Sequence, residues 1–328
     1  MTRIDIYSGF LGAGKTTLIK KMIQEAYAGQ KLVLIENEFG EIGIDGGFLQ
    51  DAGINITEMN SGCICCSLVG DFGKALTQVI EQYAPERIVI EPSGVGKLSD
   101  VVAAVQKVTN EEVTLGYTVA VADAGKVKVY MKNFGEFYNN QIETASTIIL
   151  SRTDAIPQAK LDAAVALLRE HNAEATLVVA PWNELTGAQL LEAMEGKASL
   201  AASLTELEHE HHHEHHHHDH EEGCCCGHHD HEHHHHHADE VFTSWGVETT
   251  RKFTAAELEA ALHSLDTGRY GMILRAKGIV ACADGGWIHF DYVPEEHNVR
   301  MGSASIIGKL CVIGAQLDEQ AVAKLFGV

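Results

Sequence analysis

The stretch Gly9–Thr16, GFLGAGKT, fits the pattern G-x-x-x-x-G-K-[ST] at every fixed position. It follows the apolar run Ile4–Ser8 and opens a helix-like segment from Lys15 to Tyr27. A strand, a glycine loop and a helix in that order aim backbone N–H groups and the positive helix end at an anion. The pattern predicts a phosphate-binding loop made of Gly9, Gly12, Ala13, Gly14, Lys15, Thr16 and Thr17. In such a loop Lys15 reaches the β- and γ-phosphates of a nucleotide, and the Thr16 hydroxyl binds Mg²⁺.

Downstream of this loop the same alternation continues. Short apolar runs (RIDIYS, KLVLIENE, RIVIEPS, YTVAVAD, STIILS and ATLVVAP) are separated by helix-like segments such as 70–83 and 158–170. Strands alternating with helices predict a mostly parallel sheet covered by helices. The expected fold class is therefore α/β, a P-loop NTPase occupying residues 1–200. From about 241 the character changes. VFTSWGVETTRKF, GMILRAKGIVAC and GWIHFDYV are strand-like, and TAAELEAALHSL has helical spacing with Thr254 as N-cap and Glu257 three residues on. KLCVIGAQL and a last helix close a smaller C-terminal α+β domain, 241–328. No internal repeat is present.

Two further segments belong to the nucleotide site. RIVIEPSG ends an apolar run at Glu91 and places Gly94 three residues later. A carboxylate there can hold Mg²⁺ through a water, and a glycine lets the backbone approach the γ-phosphate. Glu91 as a plain helix cap is the other reading. Lys15, Thr16 and Glu91 are the expected catalytic residues. After STIIL comes Ser151-Arg152-Thr153-Asp154, where guanine readers carry Asn-Lys-x-Asp. Asp154 can accept hydrogen bonds from guanine N1 and N2, and Arg152 can lie along the base. Ser151 lacks the amide, so GTP is favoured over ATP with weakened discrimination. No catalytic glutamine is evident, and slow turnover is expected.

NSGCICC brings Cys63, Cys65 and Cys66 together after the strand-like INITEMN. Residues two apart in extended chain point the same way, so Cys63 and Cys65 can grip one ion, with Cys66 joining if the backbone bends. Thiolates suit Zn²⁺ and other borderline metals. Core packing and a redox pair are the competing readings.

Residues 201–240 form an acidic, His- and Cys-rich linker. Between His209 and His237 lie 17 of the 21 histidines and the run Cys224, Cys225 and Cys226, without one aliphatic, Lys or Arg side chain. A segment that can bury nothing apolar does not form a core. Its first ligand groups, His209, His211, His212 and His213, and those around the cysteines, His228 and His229, suit Zn²⁺, Co²⁺, Ni²⁺ and Cu²⁺. A metal reservoir and a solvated linker that happens to bind metal are both open. His171, His263, His289 and His297 lie outside the run, have no ligand spacing, and read as surface or packing residues. Cys282 and Cys311 sit in apolar runs and read as core.

The formal net charge is -22. Such a balance argues against nucleic acid, whose phosphates need Lys and Arg. No apolar run reaches the ~20 residues of a membrane span, and the N-terminal stretch has no signal-peptide layout. A cytoplasmic protein with reduced cysteines is expected.

Together, GFLGAGKTT, ENEFGEIGID (36–45), GCICC, EPSG, the SRTD slot and RAKGIV occur in the order of the CobW-type metal-chaperone GTPases, and the sequence resembles that family over nearly its whole length. Ser151 and Arg152 depart from the family's Asn and Lys. The resemblance implies GTP and Mg²⁺ binding, slow GTP hydrolysis, and a transition metal held at the Cys-x-Cys-Cys motif. It also implies delivery of that metal to a client metalloenzyme or metal-cofactor pathway protein. Glu36 and Glu41 match glutamates linked to metal in relatives; ordinary switch-loop carboxylates are the alternative. Zn²⁺ leads, with Co²⁺ or Ni²⁺ next. A metal buffer in which nucleotide only stabilises the fold is the alternative function.

Overall fold

The computed structural model describes residues 1–36, 56–60, 69–196 and 242–328. The chain divides into two compact units, Met1–Ala198 and Ser199–Val328.

In the first unit, strands β1 (Thr2–Gly9), β2 (Leu32–Glu36), β3 (Ile56–Asn60), β4 (Arg87–Glu91), β5 (Val113–Asp123), β6 (Thr147–Ser151) and β7 (Thr176–Val178) form one sheet. Its order is β3-β2-β4-β1-β5-β6-β7, and every neighbouring pair is parallel. Parallel strands need crossovers. Among the described residues these run through helices α1 (Lys15–Glu25), α2 (Val69–Tyr83), α3 (Leu98–Gln106), α4 (Val127–Thr144) and α5 (Gln158–His171), and α6 (Gly187–Met194) follows β7. β1 lies at the centre, and its Ile4 and Ile6 are fully buried beside Ile88, Val89 and Ile90 of β4. The strand order brings the carboxyl ends of β1, β4 and β2 together at one edge, and those of β5 and β6 beside them. Ligands of open α/β sheets bind at such an edge.

The centre of this sheet also holds a buried charge. Asp5 on β1 is fully buried and pairs with Arg87 of β4. Its Oδ1 accepts the Tyr117 N–H at 2.9 Å, and the Tyr27 hydroxyl lies 3.4 Å from Oδ2. Tyr7 and Tyr27 share a hydroxyl contact of 2.5 Å. Arg87 also stacks over the Tyr27 ring at 4.2 Å. A buried carboxylate is tolerated only when paired and hydrogen-bonded in this way.

In the second unit, β8 (Phe242–Thr249), β10 (Met272–Cys282), β11 (Trp287–Val293), β12 (Glu296–Gly302) and β13 (Gly308–Ala315) form an antiparallel sheet ordered β12-β11-β10-β13-β8. The two-residue β9 (Lys252–Phe253) adds to β10 in parallel. Helices α7 (Ala255–Leu265) and α8 (Glu319–Phe326) bury Leu258, Leu262, Val322 and Phe326 among Val280, Phe290 and Val312 of the sheet. The expected cap is present. Thr254 Oγ1 accepts the Glu257 N–H at 3.2 Å, and Glu257 Oε2 accepts the Thr254 N–H at 2.8 Å. Among the described residues, no helix is long and apolar enough to cross a membrane.

Candidate nucleotide-binding site

The phosphate loop is the turn from β1 into α1. Ala13 N–H donates to the Phe10 carbonyl at 3.2 Å and closes it. Gly14 caps the helix at φ 101, a left-handed conformation that favours glycine, and a Cβ there would stand 3.1 Å from the Trp182 ring. Phe10 roots the loop in α4: its ring centroid is 4.7 Å from that of Tyr130 and 4.9 Å from that of Phe134, where α4 kinks.

Lys15 is almost fully buried and folds over its own loop, with Nζ donating to the Gly9 carbonyl at 2.9 Å and lying 3.4 Å from that of Phe10. Its ammonium is thus held against the carbonyls at the start of the loop. Thr16 Oγ1 lies 3.1 and 3.2 Å from the two carboxylate oxygens of Glu91. A hydroxyl and a carboxylate beside a glycine loop form an oxygen-only donor set, which suits a hard cation such as Mg²⁺. The loop, Lys15, Thr16 and Glu91 together fit a magnesium-bound nucleotide.

Gly94 packs the β4 loop tightly against the phosphate loop. A Cβ on it would fall 2.8 Å from Leu11 Cδ2 and 2.9 Å from the Leu11 backbone N. The segment is pinned from behind by Gln141 of α4, whose buried Nε2 donates to the carbonyls of Gly94 at 3.1 Å and Gly96 at 2.8 Å. Glu36, the last residue of β2, is the register partner of Glu91 on the adjacent strand. Neighbouring strands lie about 4.8 Å apart, so the two carboxylates stand side by side at the sheet edge.

On the other side of the loop lies a cavity of about 280 Å³ lined by Ala13, Gly14, Arg152, Asp154, Trp182 and Asn183, among others. Arg152 does not lie loose along it. It adopts φ 55, pairs with Asp123 at the end of β5, and donates through Nη2 to the Gly12 carbonyl at 3.1 Å. Ser151 is buried, and its Oγ lies 3.5 Å from the Ala122 carbonyl. Arg152 is therefore the side chain of the SRTD slot that ties β6 to the phosphate loop. Trp182 is fixed by its indole N–H, which donates to the Leu150 carbonyl at 2.8 Å.

Two family profiles match the chain in order. "CobW/HypB/UreG, nucleotide-binding domain" covers residues 4–179, and "Cobalamin synthesis protein cobW C-terminal domain" covers 242–327. The chain belongs to the CobW/HypB/UreG family of P-loop GTPases. It is 31% identical over 238 residues to the zinc chaperone CobW of Sinorhizobium sp, covering 62% of this chain and 67% of that one. It is 28% identical to the zinc chaperone YeiR of Escherichia coli, covering 64% of each. With the zinc-regulated GTPase metalloprotein activator 1 of Schizosaccharomyces pombe it shares 25% identity, covering 56% of this chain and 46% of that relative. The chain thus spans about two thirds of the first two relatives and about half of the third.

Of the residues expected from sequence, this CobW/HypB/UreG member gathers Gly9, Gly12, Ala13, Gly14, Lys15, Thr16, Thr17, Glu91 and Gly94 around one loop, with Arg152 and Asp154 in the adjoining cavity. Glu41, Cys63, Cys65, Cys66 and the whole run His209–His237, with Cys224, Cys225 and Cys226, lie outside the described residues. Among the described residues no group of three or more His, Cys, Asp or Glu could hold a metal ion. Cys282 and Cys311 are free and buried, as expected. Trp182, Asn183, Asp123 and Gln141 were not singled out by sequence. The tryptophan had one available signal: it follows Pro181 directly after an apolar strand, where a loop at the strand's carboxyl end lines a ligand site.

Proposed function

We propose that this protein is a GTP-dependent metallochaperone. It binds a transition metal, zinc first and cobalt or nickel next, at Cys63, Cys65 and Cys66, and couples slow GTP hydrolysis to delivery of that metal to a client metalloprotein. The observation that carries the reading is the contact of Thr16 with Glu91, with Glu36 in register beside it. One carboxylate, that of Glu91, meets the Thr16 hydroxyl. The other ends the strand from which the chain runs on toward Glu41. The family membership and the names of the relatives, zinc chaperones and a metalloprotein activator, support the same reading.

The chain's own residues carry the following roles. Loop N–H groups and Lys15 cradle the phosphates. Thr16 and Glu91 would hold Mg²⁺, which when bound would supply positive charge against the phosphates. Gly94 brings its backbone to the γ-phosphate side. Asp154 reads the guanine edge, and Trp182 walls the base cavity. Slow turnover is part of the proposal, since no catalytic glutamine is evident in the sequence. Because a switch loop ordered by γ-phosphate changes with hydrolysis, metal affinity differs between the GTP and GDP states, and metal biases nucleotide affinity by the same factor.

The test is GTP hydrolysis by metal-free protein with and without one equivalent of Zn²⁺, Co²⁺ or Ni²⁺, repeated on Cys65→Ala and on a deletion of 209–237. A metal-dependent rate lost in Cys65→Ala, with the deletion only raising the metal needed, supports the proposal. A rate indifferent to every metal in all variants overturns it in favour of a metal buffer.

A further inference from the structure

The fold joins two histidines that the sequence keeps apart. His263 lies in the last turn of α7 and His297 on β12, and their ring centroids are 4.4 Å apart with planes at 82°. The other two histidines outside the run are engaged: His171 Nδ1 contacts Glu143 at 2.9 Å, and His289 Nε2 contacts the Ser303 carbonyl at 2.8 Å. No hydrogen bond among the described residues ties down the ring of His263 or His297; their recorded interactions are with each other and with Asp266. His263 is exposed and His297 half-buried.

The surroundings favour a cation. Asp266 ends α7, and its Oδ1 accepts the Tyr292 hydroxyl at 2.6 Å and the Glu295 N–H at 2.9 Å. Those two bonds hold its carboxyl below the usual range, and the two imidazoles lower it further. A fixed negative charge therefore acts on both rings. His263 also sits at a helix C-terminus, where carbonyls attract positive charge. Among the described residues no third His, Cys, Asp or Glu is close enough to share an ion with the pair.

We propose that His263 and His297 form an open, two-ligand site for a borderline divalent metal such as Zn²⁺ or Ni²⁺ on the C-terminal unit. Imidazole nitrogens suit these ions. Turning one nitrogen of each ring toward a shared ion at ~2.0–2.1 Å asks for side-chain rotation of rings that no hydrogen bond among the described residues anchors. Two protein ligands leave the remaining positions to water. An ion so held is bound weakly and can be attacked by an incoming ligand before it leaves. Asp266 acts as a positioning charge rather than a ligand. The site goes beyond the proposed function: it leans on that reading for its purpose, as a stage in metal transfer, but not for its chemistry.

Carbethoxylation of histidines, read residue by residue by mass spectrometry on the full-length chain, tests it. Zn²⁺ is titrated past the capacity of the histidine segment, and reactivity with and without Zn²⁺ is compared within each variant. The expected result is a joint loss of reactivity at His263 and His297, unchanged reactivity at His171 and His289, and no Zn²⁺ protection of His297 in His263→Ala. Zn²⁺ that protects neither ring, or that protects His297 equally in His263→Ala, overturns the site. GTP hydrolysis is followed in the same samples. A Zn²⁺ effect on the rate that persists in His263→Ala separates this site from the cargo site. Paired protection without any Zn²⁺ effect on the rate upholds the site while the proposed function fails.

Discussion

Thr16 and Glu91, from the two central strands' following loops and ends, meet with the hydroxyl 3.1 and 3.2 Å from the carboxylate oxygens. The pair links the phosphate loop to β4 at the position where Mg²⁺ is proposed to sit. A hydrogen bond to a charged group contributes about 1.5–3 kcal/mol, so Glu91→Gln is expected to lower Mg²⁺-supported GTP turnover by roughly 10- to 100-fold. Nucleotide affinity measured without Mg²⁺ should change little. Turnover equal to the parent would remove Glu91 from the mechanism.

Gly94→Ala places a methyl against the backbone of Leu11. Overpacking of this kind costs about 1–3 kcal/mol. The clash pushes on the phosphate loop, so loss of GTP affinity should exceed the change expected from a surface substitution. Isothermal titration with GTP and a urea melt of the same variant separate the two effects.

Trp182 is the tryptophan of the first unit, with Trp245 and Trp287 in the second. A base stacked on an aromatic wall gains about 1–3 kcal/mol by alanine substitution. Trp182→Ala should therefore weaken GTP binding by roughly one to two orders of magnitude. It should also abolish most energy transfer from protein to a methylanthraniloyl-labelled nucleotide. Transfer retained at the parent level would place the base elsewhere.

Arg87→Met leaves the fully buried Asp5 without its main partner. Breaking one side of a buried pair costs about 3–5 kcal/mol. Urea denaturation should report a loss of that size in the first unit, while GTP affinity below the transition stays close to the parent value. The separation follows from geometry, since Asp5 lies midway along β1 and not at its carboxyl end.

The Cys311 thiol is pushed up to about 11, first by burial, with the nearby Lys309 ammonium opposing. An unfolded thiol ionises near ~8.5. Below that value neither state carries a thiolate at this position, and no stability hangs on it. As pH rises through and beyond ~8.5, the unfolded chain ionises first, so this group's contribution turns against the folded state. Iodoacetamide at neutral pH should spare Cys311 until the second unit unfolds. Rapid native labelling of Cys311 would contradict its placement in the core.

The phosphate loop, the strands that carry it and the Thr254 cap were legible because each is a local pattern. α4 was not: VKVYMKNFGEFYNNQIET mixes aromatic, β-branched and polar residues and kinks at Phe134, which blurs the helical period. The short α3 carries a VVAAV run as strand-like as it is helical. β12 is a polar edge strand with most side chains exposed, so no alternation marks it. The roles of Arg152, Trp182 and Gln141 depend on partners up to 140 residues away. Residue type pointed to Arg152 beside the base; its ties to Asp123 and the Gly12 carbonyl could not be read from the sequence. His263 and His297 read as separate surface or packing residues, because sequence spacing cannot register a contact made between a helix and a distant strand.

The cavity beside Gly14 is lined largely by residues that end β6 or follow β7, whereas the phosphate loop stands on β1 and β4 at the sheet's centre. Inheritance can act on these two regions separately. On the proposed reading, substitutions at 151–154 and 181–183 would alter which base is accepted while the buried strands beneath the phosphate loop stay under unchanged packing constraint. A descendant of this chain could then change its nucleotide preference without refolding its sheet.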